Sequence, residues 1–322
     1  MLSAYLSGFA AEHYDFNRKT LQFVAAGNYT EKQFYSFEYQ DQTYILRIVK
    51  APADRIVRTR AEMDWLCYLA GKGISASRPL RTRKGELAIL AEEDGKTYIL
   101  AAYTKAEGRP FDVSDPNFWG AKIFYNWGKI MGDMHRVTKD YVPEDETVMQ
   151  DDFADIISGN VEAFPSVRKA ADELIAEIAA LPKDGDSYGL VHSDLGPTNF
   201  LIDGARINVF DFDDCCYTWF ARDIGAALTF GLWFGRYNDA GHDFANDLFT
   251  YFLAGYRSAN HLTDFWLSKI PLFLRLYQIA GFAYTNPREN PDDASQREQI
   301  RNIEDKVLFA GCTVDFSMFV YH

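Results

Sequence analysis

The stretch Leu190-Val191-His192-Ser193-Asp194-Leu195-Gly196-Pro197-Thr198-Asn199-Phe200-Leu201, followed by Ile207-Asn208-Val209-Phe210-Asp211-Phe212-Asp213, decides the reading of this chain. Asp194 precedes Asn199 by five positions, and a short apolar strand, Arg206–Phe210, then ends on Asp211. Three oxygen-bearing side chains are thus offered by one strand, loop and hairpin. Phosphoryl transfer needs such a set: a carboxylate to receive the proton of an attacking hydroxyl, and hard oxygen ligands to hold Mg²⁺ against phosphates. On that chemistry Asp194 is the candidate base. Asn199 and Asp211 are the candidate metal ligands.

The order of these motifs resembles the kinase pattern H-x-D-x-x-x-x-N followed by an Asp-Phe-x triplet. It is most similar to the aminoglycoside phosphotransferase and choline kinase family. Ser193 rather than Arg follows His192, and Asp213 rather than Gly closes the triplet Asp211-Phe212-Asp213. The resemblance covers most of the chain and implies an α+β, bilobal protein-kinase-like fold. A small β-rich N-lobe with one main helix is expected over 1–103, and a larger, mainly helical C-lobe over 104–322. It also implies ATP and Mg²⁺ as cofactors and a small-molecule hydroxyl as acceptor. Two positions depart from the family pattern: Ser193 stands where many members carry Gly, and Gly196 where many carry His. Both departures bear on the shape of the substrate mouth and leave the three chemical groups intact.

Composition agrees with a soluble enzyme. Over 322 residues, a 48% hydrophobic and 16% aromatic content supplies a core without disulfide staples. No run of about eighteen apolar residues is present, and Met1–Asp15 has no basic leader region, so neither a membrane span nor a signal peptide is expected. A cytoplasmic location follows. Cys67, Cys215, Cys216 and Cys312 lack zinc-ligand spacing, and the adjacent pair is poorly suited to bridge within itself, so reduced thiols are expected. With 33 basic and 46 acidic residues the net charge is −13, which disfavours a nucleic-acid partner and is compatible with cationic substrates. The oligomeric state is not legible.

In the first lobe, Leu21–Ala25, Phe34–Tyr39, Thr43–Ile48, Leu87–Ala91 and Thr97–Tyr103 read as strands, and Ala53–Ala70 as the one strong helix. Ile45-Leu46-Arg47 takes the place of the Val-Ala-Ile-Lys strand, with Arg in place of Lys. A guanidinium still meets two phosphate oxygens, and Glu62 on the helix is the expected partner that orients it. Gly27 and Asn28 sit in the turn where a phosphate loop would lie, but no G-x-G-x-x-G is present. An ordinary hairpin fits that turn nearly as well, and Lys32 either approaches the triphosphate or faces solvent. Leu100–Thr104 resembles an adenine-binding hinge, with backbone groups of Ala101 and Tyr103 on the purine edge and Ile45 and Leu201 as the apolar walls.

Beyond residue 110 the pattern is helical: Asp115–Arg136, Val167–Leu181, Ala221–Phe234, Ala240–Ala259, Leu262–Tyr284 and Ala294–Ala310. His192 reads as a brace for the catalytic loop, and His135 as a structural residue. Asp213 is placed to support a second metal or to orient the ligands of the first. Asp223 either anchors the catalytic loop, as the resemblance implies, or simply sits at a helix N-terminus. Two further readings stay open beside the small-molecule kinase. One is a protein Ser/Thr kinase of the bacterial stress-response type, since the short stretch Asp214–Arg222 has no room for a peptide-docking activation segment. The other is a catalytically silent nucleotide-binding module. Trp219, Trp233, Tyr237, Trp266 and Tyr277 read as core before they read as a cage for an amine.

Overall fold

The computed structural model describes residues 2–27, 31–236, 241–286, 290 and 293–305. Asn28, Tyr237 and Cys312 lie outside the described residues, as does the end of the last expected helix. Two compact units are formed. The first comprises Met1–Gly108, Asp140–Met149 and Asn208–Asp213, and the second comprises Arg109–Lys139, Gln150–Ile207 and the chain from Asp214 onward.

The first unit is an antiparallel sheet with two helices. Helix α1 (Ala4–Tyr14) precedes strands β1 (Gln22–Ala26), β2 (Lys32–Tyr39) and β3 (Gln42–Lys50); α2 (Ile56–Gly71) then leads to β4 (Pro79–Leu80), β5 (Ala88–Glu93) and β6 (Lys96–Thr104). The sheet order is β1-β2-β3-β6, with β4 and β5 sharing the far edge of β6. The hairpins close on the expected turn residues. Gln40 and Asp41 have φ of 49° and 59°, and Asp94 and Gly95 have 51° and 69°, the left-handed pair that matches strand twist in a two-residue loop. The five expected strands are found within a few residues of their ends.

Helix α1 and the two-residue β4 were not expected. Ser3 caps α1 by accepting from the Leu6 amide at 3.0 Å, and the helix buries Leu6, Ala10 and Tyr14 on one edge. The Tyr14 hydroxyl donates to Leu100 O at 3.2 Å, and Phe16 stacks on Phe37 with centroids 4.0 Å apart, so this N-terminal segment completes the core behind the sheet.

The second unit is mainly helical. It contains α3 (Ala121–Thr138), α4 (Phe153–Asn160), α5 (Pro165–Ala179) and the strands β7 (Tyr188–Val191) and β8 (Phe200–Asp203). The hairpin of β8 with β9 (Arg206–Val209) carries the chain into Asn208–Asp213 of the first unit. The second unit resumes with β10 (Cys216–Trp219), α6 (Phe220–Arg236), α7 (Gly241–Ala259), α8 (Asp264–Thr285) and α9 (Ala294–Glu304). Helix α3 starts at Ala121 and not at Asp115, because Asp115 is used in a turn, accepting from the Asn117 amide at 2.9 Å, and Gly120 is fully extended. Its packing partner is α7. A Cβ on Gly128 would lie 1.9 Å from Phe252 O, and one on Gly255 would lie 1.8 Å from Tyr125 O, so the two backbones meet where side chains are missing.

Candidate active site

In the first unit, β3 presents Arg47 between Phe34 of β2 and Ala101 of β6. Its guanidinium donates to both Glu62 oxygens, Nη1 to Oε1 at 3.0 Å and Nη2 to Oε2 at 2.5 Å, a two-point pair. Both residues are 2% exposed. The Tyr103 ring lies 5.7 Å from the guanidinium carbon. Burial pulls the Arg47 pKa down, but Glu62, Tyr103 and Asp211 together push it higher, so the cation is locked in. Burial also raises the Tyr103 phenol, with Arg47 opposing.

The acidic triplet belongs to the same unit. Phe212 is buried and meets Trp65 of α2 edge-on at 5.5 Å, three residues along the helix from Glu62. This contact fixes Asp211-Phe212-Asp213 against the helix that orients Arg47. Asp211 has a left-handed backbone, φ 63°, and its Oδ1 is buried with no hydrogen-bond partner. Asp213 forms an ion pair with Lys32, so Lys32 does not project freely into solvent. Ile45 is half-buried two residues before Arg47, and the Gly27 amide donates to Lys32 O at 3.0 Å, closing the turn whose tip is not described. Ala101 and Tyr103 lie inside β6 with strands on both edges, and the Lys105 amide still donates to Thr43 O of β3 at 3.1 Å, so amides free of the sheet begin after Lys105.

In the second unit, β7 ends at Val191 and the chain turns through His192 to Asn199. The Asn199 side-chain amide donates to Asp194 O and to Asp194 Oδ2, each at 2.7 Å, which draws the carboxylate and the carboxamide together. The Asp194 amide donates to Nδ1 of the fully buried His192 at 3.3 Å, so His192 braces the turn. Trp127 Nε1 of α3 donates to Leu195 O at 3.1 Å, and a Cβ on Gly196 would press on the Phe230 ring at 3.1 Å. Leu201 follows in β8, half-buried.

Asp223, in the first turn of α6, is fully buried and bridges two helices and the loop. Its Oδ1 accepts from the Ser193 amide at 2.8 Å, and its Oδ2 meets His135 Nε2 at 2.9 Å. His135 Nδ1 contacts the Tyr256 hydroxyl of α7 at 2.9 Å. Of the two meanings open for Asp223, the structure gives both: a helix N-terminal carboxylate that also holds the loop. Three residues of this neighbourhood were not singled out by the sequence for a site, namely Asp151, Arg222 and, beyond its place in the core, Tyr277. The one local signal was a charged pair, Arg222-Asp223, inside the apolar run Trp219–Leu228.

Among the described residues, no group of three or more His, Cys, Asp or Glu side chains is arranged to hold a metal ion. The Asp211 carboxylate in the first unit and the Asn199 carboxamide in the second are each hard oxygen groups of the kind that Mg²⁺ or Ca²⁺ takes. The unpartnered Asp211 oxygen fits such an ion. No helix of the described residues is long and apolar enough to cross a membrane.

The profile of the phosphotransferase enzyme family APH matches residues 21–262. The chain belongs to this family. It is 35% identical over 276 residues to the amicoumacin kinase of Bacillus subtilis (strain 168), covering 83% of this chain and 80% of that one. The solved structure of amicoumacin kinase hAmiN in complex with AMP-PNP, Ca2+ and Ami matches with a TM-score of 0.86 and 29% identity, over 99% of this chain and 97% of that one. Spectinomycin phosphotransferase APH(9)-Ia, in complex with ADP and its antibiotic, shares the fold at a TM-score of 0.62 and 17% identity, over 99% and 98% of the two chains. The protein is thus a kinase of protein-kinase-like fold, as the motif order led us to expect.

Proposed function

We propose that this kinase transfers the γ-phosphoryl group of ATP, with Mg²⁺, to a hydroxyl of a small molecule, and that an antibiotic of the amicoumacin type is the first acceptor to test. The Asp194–Asn199 geometry is the observation that carries the reading. A half-buried carboxylate, held by its own loop, is the group that accepts the hydroxyl proton. Arg47, oriented by Glu62, meets the nucleotide phosphates; Asp211 and the carboxamide oxygen of Asn199 are the metal ligands, and Asp213 with Lys32 supports them. When bound, Mg²⁺ neutralises phosphate charge and aligns the transferred group. Gly27, Ile45, Leu201 and the segment around Ala101 and Tyr103 are assigned to the nucleotide, with purine-edge contacts drawn from the backbone that leaves the sheet after Lys105. A cytoplasmic location, without nucleic acid or membrane as partner, belongs to the same reading.

The acceptor class is supported by the similarity to the two amicoumacin kinases; the stretch between Asp213 and Asp223, taken up by β10 and the first turn of α6, speaks only against a kinase with a peptide-docking activation segment. The test is coupled ADP release by the purified protein with MgATP and, one at a time, amicoumacin, spectinomycin, aminopropanol, choline, homoserine and a protein substrate mixture. One small molecule should stimulate turnover at least tenfold, and Asp194→Asn should abolish that stimulation while ATP affinity stays within about threefold. Stimulation by protein alone would move the protein to the stress-response type of kinase. Wild-type turnover in Asp194→Asn would remove the base.

A further inference from the structure

The backbone at Ser193 is the least expected feature of the catalytic loop. Its φ is 71°, in the left-handed region that side-chain-bearing residues rarely adopt. The residue immediately precedes Asp194, so the backbone angles of Ser193 set the direction in which the Asp194 carboxylate leaves the loop.

Each polar group of Ser193 is held from a different direction. Its amide donates to Asp223 Oδ1 at 2.8 Å, its carbonyl accepts from the Tyr277 hydroxyl at 3.5 Å, and its Oγ accepts from Arg222 Nη2 at 3.4 Å. Arg222 is itself tightly fixed. Nη1 donates to Asp151 Oδ2 at 2.8 Å and to Cys216 Sγ at 3.4 Å, and the guanidinium carbon lies 4.5 Å from the Phe153 ring centre and 5.9 Å from that of Tyr277. The residue is 3% exposed, and its Nε is buried without a partner. A charge buried in this way is rarely favourable for stability compared with an apolar residue of similar size, so stability alone is a poor reason for it.

We propose that Arg222, anchored by Asp151 and flanked by Tyr277, is a positioning residue that clamps Ser193 in its left-handed conformation and thereby holds Asp194 in register for proton abstraction. The clamp takes the place of the conformational freedom that glycine would give at position 193. In this assignment Arg222 acts on Asp194 through Ser193. The proposal rests on Asp194 being the base.

Two readouts separate the clamp from a merely structural arginine. In steady-state kinetics with MgATP and the best acceptor, Arg222→Met should lower kcat at least tenfold with the KM for ATP unchanged, and Arg222→Lys should recover part of the loss. In a Ser193→Gly background, where no clamp is needed, Arg222→Met should cost less than threefold. An equal loss in both backgrounds overturns the proposal, as does a lowered Tm with kcat retained. If Arg222→Met fails to fold because Asp151 is left unpaired, the pair Asp151→Asn with Arg222→Met takes its place in the cycle. The second readout is amide hydrogen exchange of the peptide spanning 190–200, which needs no turnover. Exchange should quicken in Arg222→Met or its Asp151→Asn pair, and unchanged exchange overturns the clamp. If Asp194→Asn retains activity, it is the assignment of the base that fails, while the exchange result still decides whether Arg222 holds the loop.

Discussion

Removing Glu62 tests whether the Arg47 pair serves phosphate binding or the fold. Both side chains are 3% exposed and meet through two hydrogen bonds, so Glu62→Leu strands a guanidinium that cannot shed its proton in a dry site. Breaking a buried pair from one side costs about 3–5 kcal/mol, and that loss should appear in the urea midpoint. Arg47→Met is the milder lesion, because a carboxylate, unlike a guanidinium, can be neutralised by a proton. The double variant Arg47→Met with Glu62→Leu replaces the pair with apolar volume and should return to within about 1 kcal/mol of wild type, or exceed it. ATP binding should not return with it. Charge-assisted hydrogen bonds from the Arg47 guanidinium to phosphate are worth about 1.5–3 kcal/mol, so their removal should weaken Kd roughly 10- to 150-fold by calorimetry. A double variant that regains both stability and ATP affinity would refute the assignment of Arg47 to the phosphates, and a Glu62→Leu loss below about 1 kcal/mol would refute the buried pair itself.

Asp211→Asn tolerates the left-handed backbone of this position, and should weaken MgATP binding at least tenfold while leaving unliganded stability unchanged; equal affinity by calorimetry would count against the ligand role. Gly128→Ala forces α3 away from α7 and should cost about 1–3 kcal/mol or more in urea unfolding, and a cost within about 0.5 kcal/mol would mean that the helices do not touch there. Tyr14, Tyr103, Tyr256 and Tyr277 have their phenol pKa values raised by burial above the ordinary 10.0. The unfolded chain therefore sheds these protons first, so stability should be flat near neutrality and fall as pH passes about 10, with a urea midpoint clearly lower at about pH 10.5 than at about pH 8.

How far the site was legible depends on how local each residue's role is. Asp194 and Asn199 are five positions apart, and their hydrogen bonds close within one loop, so spacing alone was enough to single them out. Arg47 and Glu62 are separated by one connection, and the strand-then-helix order predicted their meeting. Helix α1 carries little signal of its own although Leu6, Ala10 and Tyr14 lie at four-residue intervals, because it is a short helix with Gly8 in its middle and its apolar face is set by the sheet behind it. The start of α3 was placed too early for a different reason. Asp115, Pro116 and Gly120 favour turns over helix, and the apolar periodicity begins only after them.

Positioning is the part that local spacing does not encode. Asp223 meets His135 across 88 residues, Arg222 meets Asp151 across 71, and Trp127 meets Leu195 across 68. Each contact needs a helix packed to within a hydrogen bond's tolerance. The glycines of α3 and α7 supply that closeness: with Gly128 and Gly255 at their crossing, the Tyr256 hydroxyl reaches Nδ1 of His135, whose Nε2 contacts Asp223, which in turn accepts from the Ser193 amide. A methyl group added at the α3–α7 contact is therefore expected to act on the catalytic loop through three buried polar contacts, and to lower turnover before it lowers ATP affinity.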